Sequence, residues 1–332
     1  MRHFVIVGLL VILMTVLSYT GLNAVGLMPV EASAQAVPID WLWNLEIMVI
    51  SFLFSLIVVP LVYSLFVFRR RKGDTSDGEH IEGNTTLEIT WTVIPLFIVL
   101  AFAYLGGYTL GETRRIDPGA MIVKVKAQQF TWSFEYPEYG IVSAELHLPV
   151  NRQVILKMES SDVIHSFWVP EFRVKQDVVP GRVTEYRITP TLLGNYTVRC
   201  AELCGASHSY MEKPVIVTSQ ADFDAWIAEQ QATAVRLTGP ERGQSLVQKN
   251  GCLGCHTVDG SKLVGPTWRG LYGSQVELSD GSTVVANDDY LKESILHPQA
   301  KIVAGFENQL MPTYQFNDTD LADIIAYIAT LK

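Results

Sequence analysis

Cysteine is scarce, with four in 332 residues, and all four fall in two close pairs, Cys200/Cys204 and Cys252/Cys255. No thiol is left to staple distant segments, which excludes a disulfide scaffold and leaves cysteine for local chemistry. Positive charge is also short: 25 Lys and Arg against 34 Asp and Glu give a net charge of −9, which argues against a nucleic-acid partner. Charged residues reach only 18% while hydrophobic ones reach 48%, with positive mean hydropathy. So little charge in so apolar a chain points to membrane segments.

Those segments lie in the first third. Phe4 to Leu17 is an apolar run behind Arg2, followed by Ala32-Ser33-Ala34. A basic start, an apolar core and an A-x-A site read as a secretory signal peptide, with a retained third membrane helix as the other reading of residues 1–34. No Cys lies near that site, so a lipoprotein anchor is excluded. Leu45 to Phe68 is long enough to span a bilayer, with Trp41 and Trp43 before it and Arg69-Arg70-Arg71-Lys72 after it. The four basic residues place that end in the cytoplasm. Trp91 to Leu110 returns the chain outward, so residues 41–111 form a transmembrane hairpin and the rest lies on the outer face of the cell membrane.

From residue 112 to 218 the pattern changes to short β-branched and aromatic runs, such as M-I-V-K-V-K and K-P-V-I-V-T, with turns at Pro180-Gly181 and Gly194-Asn195. This pattern predicts an antiparallel β-sandwich. Between its last two strands, Gly194 to Cys200 and Lys213 to Thr218, runs C-A-E-L-C-G-A-S-H-S-Y-M, Cys200 to Met211. Two thiolates, the His208 imidazole and the Met211 thioether form a soft donor set that favours copper and excludes magnesium or calcium. His165 in D-V-I-H-S-F-W-V-P offers a second imidazole, and the Glu202 carbonyl lies between the cysteines. Two sulfurs can bridge two coppers. A Cys200–Cys204 disulfide leaves His208 and Met211 without a role, and a structural zinc gains little from Met.

Residues 219–240 read as an amphipathic helix followed by a short Ala- and Thr-rich linker from Gln231 to Pro240. In the remaining stretch, 241–332, C-L-G-C-H at 252–256 is the c-type haem attachment pattern: two thioethers from Cys252 and Cys255, and His256 as axial ligand. Met311, before Pro312, is the only Met after residue 211 and is the candidate sixth ligand; His297 reads as a helix-end residue. Leu321, Ile324, Ile325, Ile328 and Leu331 recur at helical spacing behind Asn317 or Asp318, predicting a terminal helix with one buried face. From Arg236 onward there are 8 basic and 11 acidic side chains, so this part lacks a strongly basic docking face.

The metal loop closely resembles that of the CuA domain in subunit II of haem-copper cytochrome c oxidases, C-x-E-x-C-x-x-x-H-x-x-M. The resemblance implies a cupredoxin-like sandwich. It also implies that Cys200 and Cys204 bridge a dinuclear copper, His165 and Met211 completing one ion, and His208 and the Glu202 carbonyl the other. The Glu202 carboxylate would face subunit I, where a shared magnesium binds. L-E-I-T-W-T-V-I-P resembles the family's L-E-x-x-W-T-x-x-P, which places Glu88 at the mouth of a proton-uptake path. Q-Q-F-T-W-S-F resembles a segment that often reads Q-W-x-W, whose first Trp receives electrons. Phe130 stands there in this chain and Trp132 is kept; both also fit as sandwich aromatics.

The C-terminal part resembles a class I cytochrome c, an all-α domain in which the carbonyl of the Pro in Gly265-Pro266 orients the axial imidazole. The whole then reads as the electron-input subunit of a proton-pumping cytochrome c oxidase. It would partner subunits I and III, an upstream cytochrome or other donor, and the lipid bilayer. Fusion of the haem domain would make its encounter with copper intramolecular, at an effective concentration of roughly millimolar. The alternatives are the input subunit of a CuA-containing nitric oxide reductase and a membrane-anchored electron carrier without an oxidase partner. Quinol oxidases of this type lack the copper ligands, and Cys200 with Cys204 sets this chain apart from them.

Overall fold

The structure, a computed structural model, describes residues 1–78, 80–309 and 311–332, with Ala234 and Val235 described only in their backbone. It divides into two compact units, residues 1–31 with 35–115, and residues 32–34 with 116–332.

The first unit is helical. α1 (Arg2–Val25) ends at Gly26, whose φ of 66° closes the helix in the left-handed region. α2 (Ala36–Val67) and α3 (Thr85–Thr113) follow. All three are long and apolar enough to cross a membrane. Their burial is inverted relative to a water-soluble bundle. Phe54, Ile57, Leu65 and Phe97 are exposed, while Ser51 and Ser55 are buried and Ser55 Oγ donates to the Ser51 carbonyl at 2.7 Å. Apolar side chains directed outward suit lipid, and small polar ones suit close helix packing. α2 and α3 start ahead of the apolar windows at Leu45 and Trp91. For α3 the reason is the cap, because Asn84 accepts from the Leu87 amide at 3.1 Å and draws a polar first turn, including Glu88, into the helix.

The second unit begins with a cupredoxin-like sandwich of ten strands. One sheet runs β3-β2-β1-β5-β8, from β1 (Met121–Gln128), β2 (Thr131–Tyr136), β3 (Ile141–Ser143), β5 (Val154–Ser160) and β8 (Thr184–Ile188). The other runs β4-β10-β9-β6-β7, from β4 (Leu146–Pro149), β6 (His165–Val169), β7 (Val174–Val178), β9 (Gly194–Cys200) and β10 (Glu212–Thr218). Alternation decides which side chains go inside: Met121, Val123, Val125 and Ala127 of β1 are buried while Lys124 and Lys126 face water. Trp132, Phe134, Tyr136, Leu148, Leu156, Met158 and Phe167 fill the space between the sheets. Most pairings are antiparallel, but β1 pairs with β5, and β4 with β10, in parallel.

Residues 32–34 belong to this unit. The Ala32 and Ala34 amides donate to the carbonyls of Glu171 and Thr189 at 3.0 and 2.9 Å, and Ser33 Oγ donates to the Phe172 carbonyl at 2.9 Å. Ala32 and Ser33 are fully buried.

The helix predicted after the sandwich is longer than its polar pattern suggests. α4 (Gln220–Arg236) runs through Ala232, Thr233, Ala234 and Val235, leaving only Leu237 and Thr238 before α5 (Gly239–Lys249). Alanine is the strongest helix former, so the stretch that reads as a linker by composition continues the helix. α4 is not free, because Phe223 and Ile227 join the sandwich core and Trp226 stacks on His147 with centroids 4.0 Å apart.

The last part has its own core. α5 packs against α7 (Asp318–Thr330), and Arg242 spans the two, pairing with Asp323 at 2.6 Å and with Asp320. Asn317 caps α7, accepting from the Asp320 amide at 2.9 Å, and Leu321, Ile324, Ile325 and Ile328 are its buried face. α6 (Asp288–Leu296) and a small hairpin, β11 (Gln275–Glu277) with β12 (Thr283–Val285), complete it.

Candidate metal and haem centres

Strand pairing brings the copper-type donors together. Phe167 of β6 faces Cys200 of β9 in register, and beyond that pair the Ala201 amide donates to the Ser166 carbonyl at 2.9 Å. His165 therefore meets the start of the Cys200–Met211 loop. Cys200 Sγ lies 3.8 Å from His165 Nδ1, 3.8 Å from Cys204 Sγ and 3.2 Å from the Glu202 carbonyl oxygen. Cys204 Sγ in turn lies 3.6 Å from His208 Nδ1 and 3.8 Å from Met211 Sδ. All the donors singled out in the sequence converge.

The spacing fits shared metal ions and no simpler arrangement. Donors held about 2.0–2.3 Å from one tetrahedral ion sit about 3.5 Å from each other, whereas a disulfide needs its sulfurs near 2.05 Å. The cysteines are free. Five side chains and a carbonyl also exceed the four ligands of a structural zinc. The hydrogen bond from Cys204 holds the Cys200 thiol far below its usual range, and the same bond, with burial, pushes Cys204 up. Metal binding would deprotonate both sulfurs.

Around the cluster, groups outside the donor set fix its geometry. Burial opposes protonation of His165, but Asp162 and Cys200 outweigh it and raise its pKa. Asp162 Oδ1 accepts from His165 Nε2 at 2.9 Å, which leaves Nδ1 for the metal side. Trp132 is fully buried, and its Nε1–H donates to the Met211 carbonyl at 3.3 Å. The Glu202 side chain is exposed. Phe130 is buried rather than presented to solvent. Glu88 lies apart from both centres, exposed on the first turn of α3.

The second centre is a cleft lined by Cys252, Cys255, His256, Met311, Pro312 and Tyr314 among others. His256 Nδ1 donates to the Pro266 carbonyl at 2.8 Å, and Trp268 stacks on the ring with centroids 4.8 Å apart. Burial lowers the His256 pKa and keeps the imidazole neutral. Burial pushes Cys252 up to about 12 and Cys255 up to about 11. Burial thus keeps Cys252 and Cys255 as neutral thiols. His297 is exposed at the end of α6 and outside the cleft lining.

Sequence reasoning missed several residues of the surroundings: Asp162, Gln128, Gln129 and Tyr314. Gln129 donates to the Cys204 carbonyl at 2.5 Å, and Gln128 to the Tyr314 hydroxyl at 2.7 Å. Only Asp162 carries a local signal, since it lies three residues before His165.

Comparison with known proteins covers most of the chain. Residues 18–106 match the family described as cytochrome c oxidase subunit II, transmembrane domain; residues 141–220 match its periplasmic domain; and residues 240–332 match cytochrome c. Cytochrome c oxidase subunit 2 of Synechocystis sp. is 39% identical over 61% of this chain and 75% of its own length. The protein of the same name from Alkalihalophilus pseudofirmus is 31% identical over 87% of both chains. The crystal structure of the periplasmic domain of subunit II of cytochrome oxidase from Bradyrhizobium japonicum is 27% identical, with a TM-score of 0.34, over 36% of this chain and 99% of that one.

Proposed function

The chain belongs to the cytochrome c oxidase subunit II family, and we propose that it is the electron-input subunit of such an oxidase, carrying its own cytochrome domain as the immediate donor. The observation that carries this reading is the convergence of His165, Cys200, Glu202 carbonyl, Cys204, His208 and Met211 at distances suited to two bridged ions. Cys200 and Cys204 would bridge a dinuclear copper, with His165 and Met211 on one ion and His208 and the Glu202 carbonyl on the other. Cys252 and Cys255 would hold a covalent haem c, with His256 and Met311 as axial ligands. When bound, these groups supply one-electron chemistry.

The protein's own residues keep each centre from rearranging when its charge changes. Asp162 holds His165 by its second nitrogen, Trp132 pins the Met211 carbonyl, and Pro266 fixes the His256 ring. Such outer partners orient ligands and tune them. Electrons would arrive from an external cytochrome or other donor and pass on to subunit I, where oxygen is reduced and protons are translocated. Glu88 would serve proton uptake on the cytoplasmic side. The exposed Glu202 carboxylate is the candidate for a magnesium site shared with subunit I, and subunit III is expected in the same complex in the cell membrane.

The test is metal and haem analysis of the purified protein with absorption and EPR spectra. Two coppers and one covalent haem per chain are expected, together with oxidation of a small artificial donor in the absence of soluble cytochrome c. Zinc or a single copper in the cluster, or full activity after Cys252→Ala with Cys255→Ala, defeats the reading.

A further inference from the structure

The sandwich and the cytochrome domain lie in one compact unit, and four consecutive residues, Gln128 to Thr131, carry the contact between their two centres. Gln128 Nε2 donates to the Asn250 carbonyl at 3.0 Å and to Tyr314 of the haem cleft at 2.7 Å. A β-carbon at Gly251 would lie 1.9 Å from Thr131 Cγ2, so only glycine lets the C-x-x-C-H loop seat there. Phe130 is wedged between the two loops. A β-carbon on Gly254 of the haem loop would meet its carbonyl oxygen at 3.3 Å, and one on Gly205 of the metal loop would meet its ring at 3.0 Å.

Gln129 touches both centres at their ligands. Its main-chain carbonyl lies 3.7 Å from Cys255 Sγ, and its side-chain amide donates to the Cys204 carbonyl. Its amide N–H donates to Asp162 Oδ2 at 2.7 Å, and the other oxygen of that carboxylate holds His165. One residue therefore joins a haem-attachment sulfur to a metal-ligand cysteine by its own covalent frame, one hydrogen bond and one close contact.

Building on the electron-input reading, we propose that Gln129 is the coupling residue through which electrons pass from the haem on Cys255 to the copper pair on Cys204. Electron tunnelling decays less steeply along bonds and hydrogen bonds than across gaps, and this path crosses one gap, the 3.7 Å contact between Cys255 Sγ and the Gln129 carbonyl. When bound, the haem would supply one electron, passing from ferrous to ferric, and the copper pair would accept it. No bond breaks and no proton moves, and the external one-electron donor restores the haem. Gln129 acts through the ligands and is a positioning and coupling residue; Phe130 packs between the two loops.

The experiment uses the purified oxidase complex containing the full chain. A laser flash injects one electron into the haem, and absorbance follows haem reoxidation and copper reduction. Gln129→Leu keeps the side chain's size and removes the amide. We expect it to slow this transfer several-fold while the copper EPR spectrum, the haem potential and the protease resistance of Leu237-Thr238 stay as in the parent. Phe130→Leu is expected to change the rate less. An unchanged rate in Gln129→Leu, or a slower one accompanied by an altered copper spectrum or a loosened domain, overturns the bridge alone. A parent complex in which the haem never reduces the copper overturns the electron-input reading, and the bridge with it.

Discussion

His256 Nδ1 lies 2.8 Å from the Pro266 carbonyl oxygen. A carbonyl only accepts, so Nδ1 carries the ring proton and Nε2 is left with the lone pair an iron needs. The preceding residue guards this geometry. A β-carbon on Gly265 would lie 2.8 Å from His256 Cε1 and 3.0 Å from Nδ1. Gly265→Ala should push the ring off its axis at a cost of about 1–3 kcal/mol, weaken the iron–imidazole bond and so raise the haem potential, because a weaker imidazole donor stabilises ferric iron less. A redox titration of the variant checks this, and a potential equal to the parent's would refute it.

Asp162 is the corresponding support on the copper side, holding His165 Nε2 at 2.9 Å and the Gln129 amide at 2.7 Å. Asp162→Asn keeps the shape and removes the charge. Loss of such an outer partner typically costs about 10–100-fold in metal affinity, and a drop in that range is expected in competition with a copper chelator, with the haem spectrum unchanged.

Phe223 anchors α4 in the sandwich core and is fully buried. Phe223→Ala should cost about 3–5 kcal/mol and release the helix that carries the chain to the cytochrome domain. Hydrogen exchange across 220–236 should accelerate well before the sandwich strands respond. Uniform acceleration in both would show that the helix is not a separate anchor.

His147 gives the same region a pH dependence. Burial lowers its pKa below the usual 6.5, only partly offset by Glu145 Oε2 at 3.3 Å. The folded state therefore binds this proton less readily than the unfolded chain. The stabilising effect of a neutral His147 is complete above about pH 6.5, the unfolded value, and is lost as pH falls from there through the folded value. The melting temperature of the protein should drop between pH 7.5 and 5, and His147→Phe, which keeps a ring against Trp226, should flatten that part of the curve.

Glu88 is exposed at the start of α3. Glu88→Ala should slow proton uptake during turnover while leaving the copper and haem spectra as they are. An unchanged steady-state rate would remove Glu88 from the path.

The metal loop was legible because its donors are local: four of them lie within twelve consecutive residues, and their softness names the metal class. The haem motif is local in the same way, and short β-branched and aromatic runs mark β1, β9 and β10. What remained hidden depends on contacts between residues far apart in the chain. Gln128 meets Tyr314 186 positions away, and Gln129 meets Cys204 75 positions away; no spacing in the sequence reports such a meeting. The end of α4 is hidden for another reason. Its Ala- and Thr-rich tail is composed like a linker, yet propensity and the anchored Phe223 and Ile227 favour continuing the helix.

The burial of Ser33 sets an order of events for maturation. A leader peptidase binds its target as an extended, accessible strand, and in the finished sandwich Ala32, Ser33 and Ala34 are already hydrogen-bonded to Glu171, Phe172 and Thr189. Any cut after Ala34 must therefore come while the sandwich is still unfolded. A chain that folds first keeps this segment as a permanent clasp, out of the enzyme's reach.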